Sequence, residues 1–312
     1  MSKGMLPHFA FMALLLWSCE HNPVAPLSEI GPIIFATRRG NYDQIYAIHE
    51  DGSGLRKLTS SSFNNFWPRW SRDGEWIVFN SRDRTPDHHF FSVVIADKHG
   101  RNERLVLAHG FQPLFSPDGE KIAFSFDWAF PGWGPDYDIV IYDLKEERGN
   151  FVFRDPDTSD FVSDWSADGK YLLVHSYDNE DYQPWFVYLF DLVDSTKSRL
   201  TDSGSSREAR FSPRGGTFSF VRREILSAST FRDELCVSQL DGSNQACVLS
   251  LENTDISTPV WSPDGAKLAF VATDRSLTRD RNSINIINVD GTGLTKIFTF
   301  SGHVGLDWQR RY

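Results

Sequence analysis

Trp261-Ser262-Pro263-Asp264-Gly265-Ala266-Lys267-Leu268-Ala269-Phe270 reads as one β-hairpin, and its turn chemistry decides the fold. An aromatic ends the first strand, Ser262 to Gly265 reverse the chain, and the segment from Lys267 to Phe270 alternates polar and apolar as a half-buried strand does. Proline presets φ for the second turn position, aspartate bonds its own backbone, and glycine takes the positive φ that a Cβ disfavours. Near-copies occur as WSRDGEWIVF from Trp70, FSPDGEKIAF from Phe115, WSADGKYLLV from Trp165 and FSPRGGTFSF from Phe211, with a truncated sixth from Trp308. Their starts lie 45, 50, 46, 50 and 47 residues apart, a period typical of propellers, solenoids and arrays. Helical repeats are excluded, because no long segment carries apolar residues at helical spacing.

The rest of each period supplies two more strands. A variable loop leads to a third strand, such as 138–142 or 283–289. A turn follows, often Asp-Gly as at Asp241 and Asp290, and then a fourth strand such as 294–298. Four strands per period describe a propeller blade. At the N-terminal side, 32–35 and 44–48 read as a repeat lacking its first strand, whereas 305–308 is a first strand with nothing after it. The fragments add up to one unit. The expected fold is therefore all-β: a six-bladed β-propeller over residues 31–312, closed by N- and C-terminal strands in one shared blade.

Three segments carry a resemblance to a known family. Phe35-Ala36-Thr37-Arg38-Arg39-Gly40, Ile45-Tyr46-Ala47-Ile48 with residues 51–59, and Trp67-Pro68-Arg69-Trp70 with residues 71–74 together resemble the TolB-like propeller repeat. The resemblance spans about residues 31–312 and implies the six-bladed ring. Such repeats occur in Tol-system periplasmic proteins, in peptidase propeller domains and in lipoproteins, so for function it implies chiefly a protein or peptide partner.

Composition narrows the classes. The chain has 312 residues, 40% of them hydrophobic and 14% aromatic, with a formal charge of −10. That is ample for a large core and argues against a nucleic acid or an anionic lipid surface as the main partner. Lys3, the apolar run 9–17 and Leu16-Trp17-Ser18-Cys19 resemble a lipoprotein leader. On that reading residues 1–18 are a signal peptide, Cys19 is lipidated, and 19–30 form a tether; an ordinary signal peptide or a buried strand is the alternative. Glu20 beside Cys19 points by analogy to the periplasmic face of the outer membrane, with membrane attachment only through the N-terminal lipid. Cys236 and Cys247 flank the Asp241-Gly242 turn, where a disulfide is open to them in an exported compartment.

The blade-head aromatics at positions 70, 115, 165, 211, 261 and 308 are expected to fill wedges between blades. Just before them stand Arg69, Leu114, Asp164, Arg210, Val260 and Asp307, a set that repeats its charge signs after three blades. Two inter-blade ion pairs are expected, Arg69 with Asp307 and Arg210 with Asp164.

No catalytic motif is present: the chain has no GxSxG elbow, HExxH, phosphate-binding glycine loop or paired CxxC. No cofactor and no resident metal are expected. The long loops of blades two and three, bearing Trp128, Trp133, Tyr137, Tyr182 and Trp185, gather aromatics as an interaction site does, or as a cap folded over the blade edge. The leading expectation is a non-catalytic, monomeric envelope lipoprotein whose loop-rich face binds a protein or peptide segment, or a glycan. The alternative is a polyuronate lyase or hydrolase at the channel mouth, using His109, His303, Asp160 and Arg207.

Overall fold

A computed structural model describes residues 31–82, 91–127, 137–155, 157–178, 184–275, 282–303 and 305–310. The expected leader and tether, with Cys19, lie outside the described residues, as do Trp128, Trp133 and Tyr182. The described chain forms six four-stranded antiparallel sheets. Five are built in sequence order from inner to outer strand, with inner strands Asn64–Trp70, Gly110–Phe115, Thr158–Trp165, Ser205–Phe211 and Thr254–Trp261. The sixth joins the two ends of the chain: Leu306–Trp308 is its inner strand and Ile33–Arg38 its second.

Closure joins the two end strands in one blade, as expected. Ile33 lies opposite Trp308, Ile34 opposite Asp307 and Phe35 opposite Leu306. Main-chain bonds extend the seam on both sides, from Gln309 N to Pro32 O at 2.9 Å and from Arg38 N to Ser301 O at 2.9 Å. Six hydrophobic clusters each draw on two adjacent blades, so the core is a ring of wedges; the cluster across the closing boundary joins Ile33, Phe35 and Trp308 to Val260, Val271 and Ile284. All six blade-head aromatics are buried, none more than 9% exposed. Their size and burial make them a large share of what holds neighbouring blades together.

The repeated turn works through three side-chain bonds. In blade one Ser71 Oγ donates to Asp73 Oδ1 at 2.6 Å and accepts from Trp76 N at 2.9 Å, while Asp73 Oδ1 accepts from Glu75 N at 3.0 Å. The same set recurs at Ser116, Ser166 and Ser262. The glycine that follows has φ of 70° at Gly74 and 64° at Gly265, where a Cβ would add strain. In the outer hairpin of blade four, Cys236 lies opposite Cys247 beside a bulge, and their sulfurs are bonded.

One feature was not expected. The five continuous inner strands each break register midway, between Phe66 and Arg69, Phe111 and Leu114, Val162 and Asp164, Arg207 and Arg210, and Ser257 and Val260. At four of these bulges one residue has a left-handed φ: Trp67, Gln112, Glu208 and Thr258. All four line the narrow part of the central channel. Pro68, Pro113 and Pro259 follow three of them, and a proline inside an apparent inner strand signals such a bulge.

Candidate functional site

The channel is closed at mid-depth by charge. Arg69 and Arg210, on opposite blades, both donate to the carbonyl of Ser163, Arg69 at 3.2 Å, and Arg210 also reaches Pro259 O at 3.2 Å. Burial, reinforced by the Arg69 charge, pushes the Arg210 guanidinium down to about 9. The expected closing pair is present, with Arg69 Nη1 at 3.8 Å from Asp307 Oδ1. The second expected pair is corrected: Asp164 accepts from Arg310 Nη2 at 3.1 Å, and Arg210 bonds main-chain carbonyls instead. Both acids share a further duty that explains their repeat after three blades. Asp307 accepts from Trp70 N at 2.8 Å and Asp164 from Phe211 N at 2.9 Å, so each ties an inner strand to the next blade's head residue.

On the loop-bearing face, above this plug, blades one to three carry a continuous arc of rings. Trp67 lies 4.4 Å from Phe111 between ring centroids, Phe111 6.0 Å from Phe161, Tyr137 4.6 Å from Phe161, and Phe161 5.5 Å from Trp185. Phe161 and Tyr177 are buried, whereas Trp67, Phe111, Tyr137 and Trp185 are half-buried and keep part of their surface toward solvent. Of the predicted loop aromatics, Tyr137 and Trp185 therefore meet at the same ring, Phe161. His175 lies beneath, stacked on Phe161 at 5.3 Å, with Nδ1 2.7 Å from Ser163 Oγ. Burial, then the charges of Arg207 and Arg210, push this imidazole down to about 3, so it is neutral at physiological pH.

The other side of the same face is ionic. Asp233, fully buried, accepts from Arg207 Nη2 at 3.0 Å and from Arg223 Nε at 2.6 Å. Arg223 also bonds Asp255, which Arg275 holds from outside at 2.7 Å. Although burial pushes the Asp255 carboxyl up, bonds from Arg275 and Arg223 hold it below the usual carboxylate range. Phe231 sits under both cations, 4.1 Å from Arg223 and 5.5 Å from Arg275.

The four residues of the enzymatic alternative are not brought together. His303 bonds Asp43 in the closing blade at 2.8 Å, and Arg38 holds the same carboxylate at 2.7 Å. His109 packs beside Phe126 in blade two. Asp160 is held by Lys197 and Ser176 in blade three, and Arg207 by Asp233 in blade four. Each has a different partner, and Arg207 also reaches Ile256 O of blade five at 3.3 Å. Sequence reasoning missed Trp67, Phe111, Phe161 and His175. Trp67 and Phe111 flank the bulges, and the Trp67-Pro68 and Gln112-Pro113 steps were the available signal.

No protein-family model matches the chain. An uncharacterized protein of Agrobacterium fabrum is 31% identical over 102 residues, which is 30% of this chain and 35% of that protein. The aligned segment thus spans about a third of that relative. Among solved structures, TolB from Acinetobacter baumannii superposes with a TM-score of 0.72 at 18% identity, over 90% of this chain and 67% of that one. A putative TolB from Agrobacterium tumefaciens gives 0.67 at 19% identity, over 88% and 90%. An oligogalacturonate lyase from Vibrio parahaemolyticus gives 0.54 at 13% identity, over 88% and 75%. At these identities the likeness is one of fold: two of these neighbours are TolB proteins, and the lyase superposes less closely than either.

Proposed function

We propose that this protein is a non-catalytic binding module of the bacterial envelope that holds a protein or peptide segment on its loop-bearing face. The observation that carries the reading is the half-buried aromatic arc of blades one to three. Rings packed on one another but left open on one side offer rigid stacking area at little entropic cost, as interface anchors do. The Arg207–Asp233 network beside it supplies fixed polar groups for register, which favours a peptide over a purely apolar ligand.

Export is supported by the leader-like N-terminal segment and by the Cys236–Cys247 bond, which belongs to an oxidising compartment. Attachment through a lipid on Cys19 and residence at the outer membrane complete the proposal. The lyase reading is not favoured, since His109, His303, Asp160 and Arg207 are each engaged in separate blades.

A photo-crosslinking amino acid at Gln112, in the channel wall beside the arc, tests this in the native envelope. A discrete adduct with one protein is expected, lost in Trp185→Ala and retained in Phe231→Ala on the ionic side. Absence of any adduct, or turnover of polyuronate by the purified protein, would overturn it.

A further inference from the structure

The aromatic arc on the loop-bearing face is a row of corners, not a flat platform. Trp67 and Phe111 meet at 65° and Phe111 and Phe161 at 74°, whereas Phe161 and Trp185 stack at 29°. A nucleobase or a pyranose seats on one flat ring face, while a small puckered ring fits where two aromatic planes meet. The rings are braced from behind. Phe66 and Phe91 pack on Trp67 at 4.9 and 5.4 Å, and Tyr177 packs on Trp185 at 4.6 Å.

The same stretch carries hydrogen-bond donors with nothing to bond. Neither Trp67 Nε1 nor Trp185 Nε1 has a partner among the described residues, and neither does the Gln112 side chain in the channel wall. By contrast, the core tryptophans Trp70, Trp165 and Trp261 each donate to a main-chain carbonyl, at 3.0, 3.1 and 3.0 Å. An indole donates and cannot accept. Gln112 is held by its backbone: its N–H donates to Asn80 Oδ1 at 2.9 Å, and Asn80, fully buried, donates to Gly110 O at 2.8 Å. Its carboxamide is left over for a ligand.

These features select among peptide conformations. A helix has bonded its carbonyls within itself and has none to give the indoles. An added strand needs an unbroken ladder edge, but the inner strands turn left-handed at Trp67 and Gln112 and shift register there. A polyproline II segment has no internal hydrogen bonds, so its carbonyls are open to donors, and its prolines bring no N–H that would lack an acceptor on these rings. The path from Trp67 through Phe111 and Phe161 to Trp185 is long enough for about five residues of it.

We propose that the loop-bearing face recognises a proline-rich segment of its partner in the polyproline II conformation. Its pyrrolidine rings sit in the aromatic corners, and its carbonyls accept from the two indoles and Gln112, a mode that aromatic-lined grooves use for such ligands. This rests on the reading of that face as a peptide site and adds the class of peptide.

Selection of random dodecapeptides displayed on phage, with the full chain as bait and Trp185→Ala as the counter-selection, tests it. The enriched peptides should carry prolines repeating at every third position. By calorimetry, replacing those prolines with alanine should weaken binding about tenfold or more. Trp67→Phe and Trp185→Phe keep a ring and remove the N–H. Each should retain the cooperative unfolding transition and weaken binding about fivefold, the worth of one neutral hydrogen bond. Enriched peptides without proline, or equal affinity once proline is replaced, would overturn the inference and leave the peptide reading standing. No enrichment would also overturn it, and the crosslink from position 112 then reports separately on the broader reading. Unchanged affinity in both phenylalanine variants would overturn it as well, since the carbonyl contacts are part of it.

Discussion

Blades one to three and blades four and five close the same end of the same ring with different chemistry. In the first group Trp67, Phe111, Phe161 and Trp185 pack ring against ring above a neutral His175. In the second, Arg207, Arg223 and Arg275 are threaded between Asp233 and Asp255. Both arrangements sit on the same plan of inner strand, bulge and turn. The contrast teaches that the repeat specifies the blade and leaves the channel end to be written independently in each copy. A ring on the aromatic side is stabilised by area removed from water, whereas a charge on the ionic side is tolerated only while its partners remain.

That difference sets the order of expected effects. Phe161→Ala empties the junction on which Tyr137, His175, Tyr177 and Trp185 converge, and should lower unfolding stability by about 4 kcal/mol in urea titration. A loss under about 1 kcal/mol would mean that the arc is a surface ornament and not a packed layer. Asp233→Ala strands Arg207 and Arg223 without their shared carboxylate and should cost about 3 kcal/mol. If Asp233→Ala costs more than Phe161→Ala, the ionic side is the better-organised half and the comparison inverts.

The smallest effect is in pH dependence. Because the folded value for His175 is depressed from 6.5 to about 3, the unfolded state binds the proton first. Its contribution is fully present above pH 6.5 and is lost as the pH falls toward 3, with a slope of at most about 1.4 kcal/mol per pH unit. His175→Gln should flatten the stability profile across that window relative to the parent. A parallel profile would show that the imidazole is protonated within the fold.

Much of the architecture was legible because it is local. A serine and a glycine at fixed offsets, with an aspartate between them in all but the Ser212 copy, make the turn, so counting Ser71, Ser116, Ser166, Ser212 and Ser262 counts the five continuous blades. The split unit at the two ends made the closing pairing of strands readable, and Ile33 lies opposite Trp308. The channel was less legible, since residues far apart in sequence converge there. Arg210 and Asp164 look like partners on charge alone, yet the carbonyl of Ser163, freed by a bulge, accepts the arginine, and Arg310 takes the acid. The aromatic arc was only partly visible, because Tyr137 and Trp185 stood out in long loops whereas Phe161 looked like any alternating strand residue.

The seam at Leu306–Trp308 also sets a timetable. Thr37 Oγ1 bonds Ser301 O across 264 residues, and Leu306–Trp308 is the strand that covers the edge of Ile33–Arg38. During synthesis the five internal blades can form one by one as an open horseshoe. Only when the final residues emerge can the two ends meet, so a nascent chain stopped short of Leu306 would expose the unpaired edge of Ile33–Arg38 to any passing strand.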